Sequence, residues 1–224
     1  MVRQKLADRI LPSYTRGEEI FNMVSHIVGG AVGIVALVLC VIFAAINGNA
    51  YGVVGSSIYG ASMIILYTMS SIYHGLKPEL KAKKVFQVID HCSIFLLIAG
   101  TYTPFALCTI RETEPATGWF IFSVIWSFAI LGITLNAVDL KKFKIFSMIC
   151  YIFMGWFAVF KIGLLIERLT IPGFILLLSG GILYTIGAVL YGLGKKKKWI
   201  HSVFHIFTVL ASVCHILCVI LFVA

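Results

Sequence analysis

Long apolar runs separated by short polar and basic stretches organise this chain. Seven stand out, at roughly 20–46, 51–73, 86–107, 118–137, 143–162, 172–193 and 200–223. At 1.5 Å per residue, each can cross about 30 Å of hydrocarbon as a helix. The runs are continuously apolar and do not alternate, which favours helices over barrel strands. The predicted fold is all-α: a polytopic membrane protein with seven transmembrane helices over 19–224, preceded by a basic segment over 1–18. A short surface helix is expected in that segment, interrupted by Pro12. The first apolar run, at about 27 residues, is too long for the core of a cleaved signal peptide. Pro104 should kink the third span. Gly29 with Gly33, and Gly180, Gly181 and Gly187, read as close-packing faces.

Composition narrows the class. Of 224 residues, 60 % are apolar and 12 % charged, with a mean hydropathy of +1.02. A soluble domain carries about 25 % charged residues, so the composition argues against a soluble enzyme and excludes a disordered chain. The formal net charge of +9 raises the question of nucleic acid. The positions of the charges answer it. Fifteen of the eighteen Lys and Arg fall on one side of the predicted spans: Arg3, Lys5, Arg9 and Arg16, then Lys77, Lys81, Lys83 and Lys84, then Lys141, Lys142 and Lys144, then Lys195 to Lys198. Only Arg111, Lys161 and Arg168 fall on the other. This places the N-terminus in the cytoplasm and the C-terminus outside. The basic loops then meet anionic headgroups, and no nucleic-acid module accompanies them. The expected setting is the cell membrane, multi-pass, with membrane lipids as partners. Cys40, Cys92, Cys108, Cys150, Cys214 and Cys218 all lie within predicted spans, without a CxxC pair, and read as buried small hydrophobes.

Ionisable groups inside apolar spans are expensive and usually functional. Placed by depth, five of the six histidines share the cytoplasmic leaflet: His26, His74, His91, His201 and His205. His215 sits about 21 Å further along its helix than His201, and reads as a core histidine. His201 and His205 are four apart on one helix face, the spacing of helical zinc sites. With His74 at a compatible depth, they form a three-imidazole set that leaves a fourth position open. Ser70 shares the face of His74. It reads either as a serine bonded back to its own helix or as a donor to a substrate oxygen. Asp90 reads either as a salt bridge to Lys83 or Lys84, or as a carboxylate beside the metal acting as acid and base. His91 points to a different face and reads as supporting or structural. Glu19, Asn22 and His26 form one stripe that could orient ligands from behind; for Glu19 the plain alternative is an acidic residue at a helix N-terminus, as for Glu18.

Several of these residues carry a resemblance. Glu19, Phe21, Asn22, Ser25, His26 and Gly29 are similar to the opening helix of the hemolysin III family. Ser70–Ser71–Ile72–Tyr73–His74, Asp90–His91, Ala99–Gly100–Thr101–Tyr102–Thr103–Pro104 and His201–Ser202–Val203–Phe204–His205 match its later motifs in order. The resemblance covers residues from about 15 to the end. The family sits with the progestin and adiponectin Q receptors and the alkaline ceramidases, a seven-helix superfamily of membrane hydrolases. It implies a zinc ion held by His74, His201 and His205, with Ser70 and Asp90 beside it, and it carries a cytolytic label.

Two functions follow as expectations. One is a zinc-dependent hydrolase of a lipid amide or ester, with acyl chains reaching the site between helices. The other is a non-catalytic membrane-homeostasis or sensor protein with structural zinc, closed by a fourth protein ligand. A transporter fits less well, because polar groups do not continue through the outer leaflet. A bis-histidine haem would need facing histidines with no other metal claim on them.

Overall fold

The computed structural model describes residue 6 and residues 9–194 and 197–224. Arg3, Lys5, Lys195 and Lys196 lie outside the described residues. Helix α1 spans Arg16–Ile46, α2 Ala50–Gly75 and α3 Lys81–Pro104. They are followed by α4 (Pro115–Asp139), α5 (Lys144–Trp156), α6 (Ile162–Leu193) and α7 (Ile200–Phe222). The described residues are otherwise turns and short helical extensions, with no strand among them. The surface helix expected before α1 does not form over residues 9–15, which are irregular.

Among the described residues, six helical runs are long and apolar enough to cross a membrane. The fifth and sixth runs of the sequence fall within one of them, Lys144–Leu193, joined by a 3₁₀ turn at Phe157–Lys161. That run is not straight. Thr170 takes a left-handed φ of 57° with ψ 172°, just ahead of Pro172, which cannot donate to a helical ladder. Trp156 Nε1 donates to Thr185 Oγ1 at 3.0 Å, although 29 residues of straight helix would separate them by about 43 Å. The chain therefore doubles back between them.

The bundle is apolar outside and polar within. Ile20, Val24, Ile27, Val35, Val38 and Ile42 line the exposed face of α1, whereas Asn22, Ser56, Ser70, Thr103, Asn136 and His205 are buried. That distribution suits hydrocarbon as the surrounding solvent. The pair Gly29 and Gly33 does pack closely: a Cβ at Gly29 would sit 2.6 Å from the Tyr67 ring, and one at Gly33 3.2 Å from Met63. The turn joining α1 to α2 needs Gly48, whose φ is +67°. At Pro104 the structure shows a change of helix type. The proline withdraws one N–H, and Phe105–Ile110 continue as a π-helical stretch.

The two ends of the bundle differ in charge. At the end holding the α1–α2 turn, all three basic residues have partners. Lys161 Nζ meets Glu114 Oε2 at 2.6 Å, Arg168 pairs with Glu112, and the Arg111 guanidinium lies 3.5 Å over the Tyr51 ring. The opposite end gathers the starts of α1, α3 and α7 with the end of α2, and the buried His26, His74, His201 and His205 lie there.

Candidate metal centre

Two adjacent carboxylates at the start of α1 hold this end together. Thr15 caps the helix. Its Oγ1 accepts from the Glu18 N–H at 3.3 Å, and its own N–H donates to Glu18 Oε2 at 2.9 Å, the reciprocal arrangement of a capping box. The other Glu18 oxygen accepts the Trp199 N–H at 2.6 Å. Trp199 has a φ of 65°, so the chain turns sharply there before α7 begins. Glu18 thus fixes where His201 and His205 start. Glu19 reaches the other way. Its Oε2 accepts from His74 Nδ1 at 2.6 Å and its Oε1 from Lys83 Nζ at 2.7 Å.

The Glu19 bond settles the tautomer of His74. A carboxylate accepts, so Nδ1 carries the hydrogen, and in the uncharged ring, the form that binds a metal, Nε2 keeps its lone pair. That Nε2 is buried and has no hydrogen-bond partner. An orphaned acceptor in a dry interior is costly, by about 1–3 kcal/mol, unless something fills the space before it. His201 and His205 stand there. Their Nε2 atoms are 3.1 Å apart. The His74 ring centroid is 5.5 Å from that of His201 and 4.9 Å from that of His205. One nitrogen from each ring lies within 4.8 Å of the others. Tetrahedral zinc, with Zn–N near 2.0–2.1 Å, needs nitrogens about 3.3 Å apart. Three imidazoles, one already backed by a carboxylate, fit that ion.

The other predicted residues fall around this cluster in different ways. His26 stacks on His205 at 3.8 Å between centroids, with both of its nitrogens unpartnered. Asn22 is wholly buried, and neither its oxygen nor its nitrogen has a partner. Neither side chain is hydrogen-bonded to the three histidines, although the Asn22 backbone reaches His205. The back-bond considered for Ser70 is made by its neighbour: Ser71 Oγ donates to the Tyr67 carbonyl at 2.7 Å. Ser70 instead lines a cavity with Asp90, His201 and His205. Asp90 does not pair with Lys83, which is taken by Glu19; its Oδ2 lies 3.6 Å from His91 Nδ1. His91 Nδ1 donates to the Gln87 carbonyl at 2.8 Å, and its Nε2 meets Tyr191 Oη at 2.9 Å. The Tyr191 ring is 5.9 Å from that of His201, which joins His91 to the cluster through one intervening side chain. His215 stays apart, its Nε2 donating to the Leu177 carbonyl at 3.1 Å. All six cysteines are free thiols.

Three participants were not apparent from the sequence. Lys83 looked like loop charge, yet only 1 % of the residue is exposed. Tyr191 looked like one more aromatic in an apolar run. Tyr14 lies before the first span, yet its ring stacks on His201 at 4.9 Å and tilts against His74 at 5.7 Å. Burial, reinforced by nearby Tyr191 and Glu19, pushes its phenol well above the usual range, so Tyr14 stays a neutral cover.

The cavity holds about 160 Å³ and runs from Asp90 and His201 past Ile98 to Tyr184 and His215. A second hollow of about 240 Å³ opens beyond it, between Arg9, Pro12 and Tyr14 on one side and Asp90, Tyr191 and His201 on the other.

A family profile described as "Haemolysin-III related" matches residues 14–216. The chain belongs to the hemolysin III family. It is 41 % identical over 206 residues to "Hemolysin-3" of Bacillus cereus, covering 92 % of this chain and 92 % of that protein. It is 37 % identical over 209 residues to a "Hemolysin-3 homolog" of Bacillus subtilis (strain 168), covering 93 % and 96 %. For this hemolysin III chain the profile match includes His74, Asp90, His201 and His205, so the whole candidate centre lies within the family's shared region.

Proposed function

We propose that this chain is a zinc-dependent hydrolase of lipid amides or esters, working just beneath the inner headgroups of the cell membrane. The observation that carries the reading is the bare, buried Nε2 of His74, held by Glu19 and facing His201 and His205. The reading includes a seven-span topology with a cytoplasmic N-terminus. In this reading the chain crosses twice within Lys144–Leu193, which turns back on itself near Thr170. At the far end Lys161 and Arg168 are paired with carboxylates and Arg111 lies over the Tyr51 ring, and in this reading the excess of Lys and Arg lies beside the site.

When bound, zinc supplies an acidified water and polarises a carbonyl. His74, His201 and His205 would hold the ion. The Asp90 carboxylate, at the junction of both hollows, takes the proton of the attacking water and returns it to the leaving nitrogen or oxygen. Ser70 donates to the substrate carbonyl oxygen as it gains charge. The apolar cavity wall takes an acyl chain, and the polar product leaves past Tyr14 and Arg9. Assay of purified protein against acyl-sphingoid and acyl-lipid substrates tests this. Hydrolysis that disappears on chelation and returns with zinc supports it; no turnover of either class in zinc-loaded protein refutes it.

A second reading, a membrane-homeostasis or sensor protein with structural zinc, is favoured by Tyr14, which covers the cluster from the aqueous side. Cobalt substitution separates the two. A site with three protein ligands changes its visible spectrum when small anions are added, and a site closed by four does not.

A further inference from the structure

A buried lysine beside the candidate centre has no part in the chemistry proposed above. Lys83 sits in the first turn of α3, where the helix dipole disfavours a cation. Its side chain is 1 % exposed. Water does not solvate it, so protein groups must. Nζ donates to Glu19 Oε1 at 2.7 Å and to the Leu76 carbonyl at 2.9 Å, and lies 5.0 Å over the Tyr73 ring. These partners come from α1, from the end of α2 and from the residue beside His74.

We propose that Lys83 is a positioning residue for the metal centre. It pins the Glu19 carboxylate in place on His74 Nδ1 and so keeps His74 Nε2 directed at His201 and His205. The division of Glu19 is the core of the argument. One oxygen is committed to the lysine and the other to the imidazole, which leaves the carboxylate no freedom to rotate. Without the ammonium, Oε1 loses its charged partner. The side chain can then swing towards the three nitrogens and offer an oxygen as a fourth protein ligand, or leave Nδ1 and release the ring. Either movement spoils a three-histidine site with an open position. A lysine serving only to staple α3 to α1 would affect stability and leave His74 alone.

The metal arm of the test rests on the zinc reading above; the tautomer arm does not. The full chain in detergent micelles is compared as native protein, Lys83→Met, Lys83→Arg, Glu19→Gln and the Lys83→Met/Glu19→Gln double variant. Zinc affinity is read by competition with a chelator. The His74 tautomer is read in metal-free protein by ¹⁵N-histidine NMR. Lys83→Met is expected to weaken zinc binding by about ten- to a hundredfold, and Lys83→Arg to recover most of that loss. In the Glu19→Gln background Lys83→Met should cost nothing further, because the lysine acts through that carboxylate. In metal-free native protein His74 should be the Nδ1–H tautomer, and in Lys83→Met a mixture. The proposal is overturned if Lys83→Met leaves tautomer and affinity unchanged, or if the loss is equal in both backgrounds. Should Lys83→Met fail to fold, Lys83→Gln takes its place under the same two criteria. If native protein takes up no zinc, the hydrolase reading fails and the tautomer result alone decides the role of Lys83.

Discussion

Helix α7 carries two buried histidine environments about 21 Å apart, and they have been built for different ends. At His215, Nε2 is spent on the Leu177 carbonyl, and Gly180 leaves space for the ring; a Cβ there would sit 2.3 Å from it. Its neighbours are Phe105 and Tyr184, with no second imidazole. At His201 and His205 the ring nitrogens face one another and a third histidine, while a carboxylate holds that third ring from behind. Burial and residue type are the same in both places. Convergence of ring nitrogens is what differs, and convergence is what a metal ion requires.

That contrast can be broken in several ways. The largest expected effect is on metal content. His205→Ala should abolish stoichiometric zinc uptake, whereas His215→Ala should retain it and lower only the melting temperature; retention in both would erase the distinction. Next comes chemistry without binding. Asp90→Asn should keep the zinc and lower lipid hydrolysis about 10²- to 10⁴-fold, as measured by turnover of an acyl-sphingoid substrate. Undiminished turnover would remove Asp90 from the mechanism.

A smaller effect belongs to the His215 end. Gly180→Ala drives a methyl into the imidazole and should destabilise the bundle by about 1–3 kcal/mol, as overpacking does, with zinc affinity unchanged. A coupled loss of zinc would mean that the two histidine regions are not independent. The smallest concerns the far end. Hydrogen bonds from Lys161 and Thr117 hold the Glu114 carboxyl below its usual range. A depressed carboxyl contributes stability that is complete above the unfolded value and is lost as pH falls through the folded one. Glu114→Gln should therefore slightly flatten the acid side of a melting-temperature profile and leave zinc untouched. An unchanged acid limb would count against the Lys161 pairing.

Much of this was legible in the chain. Unbroken apolar runs require helices in hydrocarbon, whatever their partners, so the spans follow from local pattern alone. The three histidines were legible because depth in a membrane is fixed by position along a helix, and depth alone brings His74 level with His201 and His205. What escaped depends on sideways contacts. Thr170 gives no local sign that it will take a left-handed conformation, so the fifth and sixth runs join differently than expected. Lys83 is spaced like its loop neighbours, and only the fold shows its ammonium turned inward onto Glu19 and not towards Asp90. Tyr14 precedes the first span, so depth could not place it against His201.

X-ray absorption at the zinc edge, on protein purified in detergent, tests the central claim most directly. The account predicts about one zinc per chain with three imidazole nitrogens near 2.0–2.1 Å and a single oxygen completing the shell. A sulfur shell near 2.3 Å, or protein that takes up no zinc at all, would contradict it.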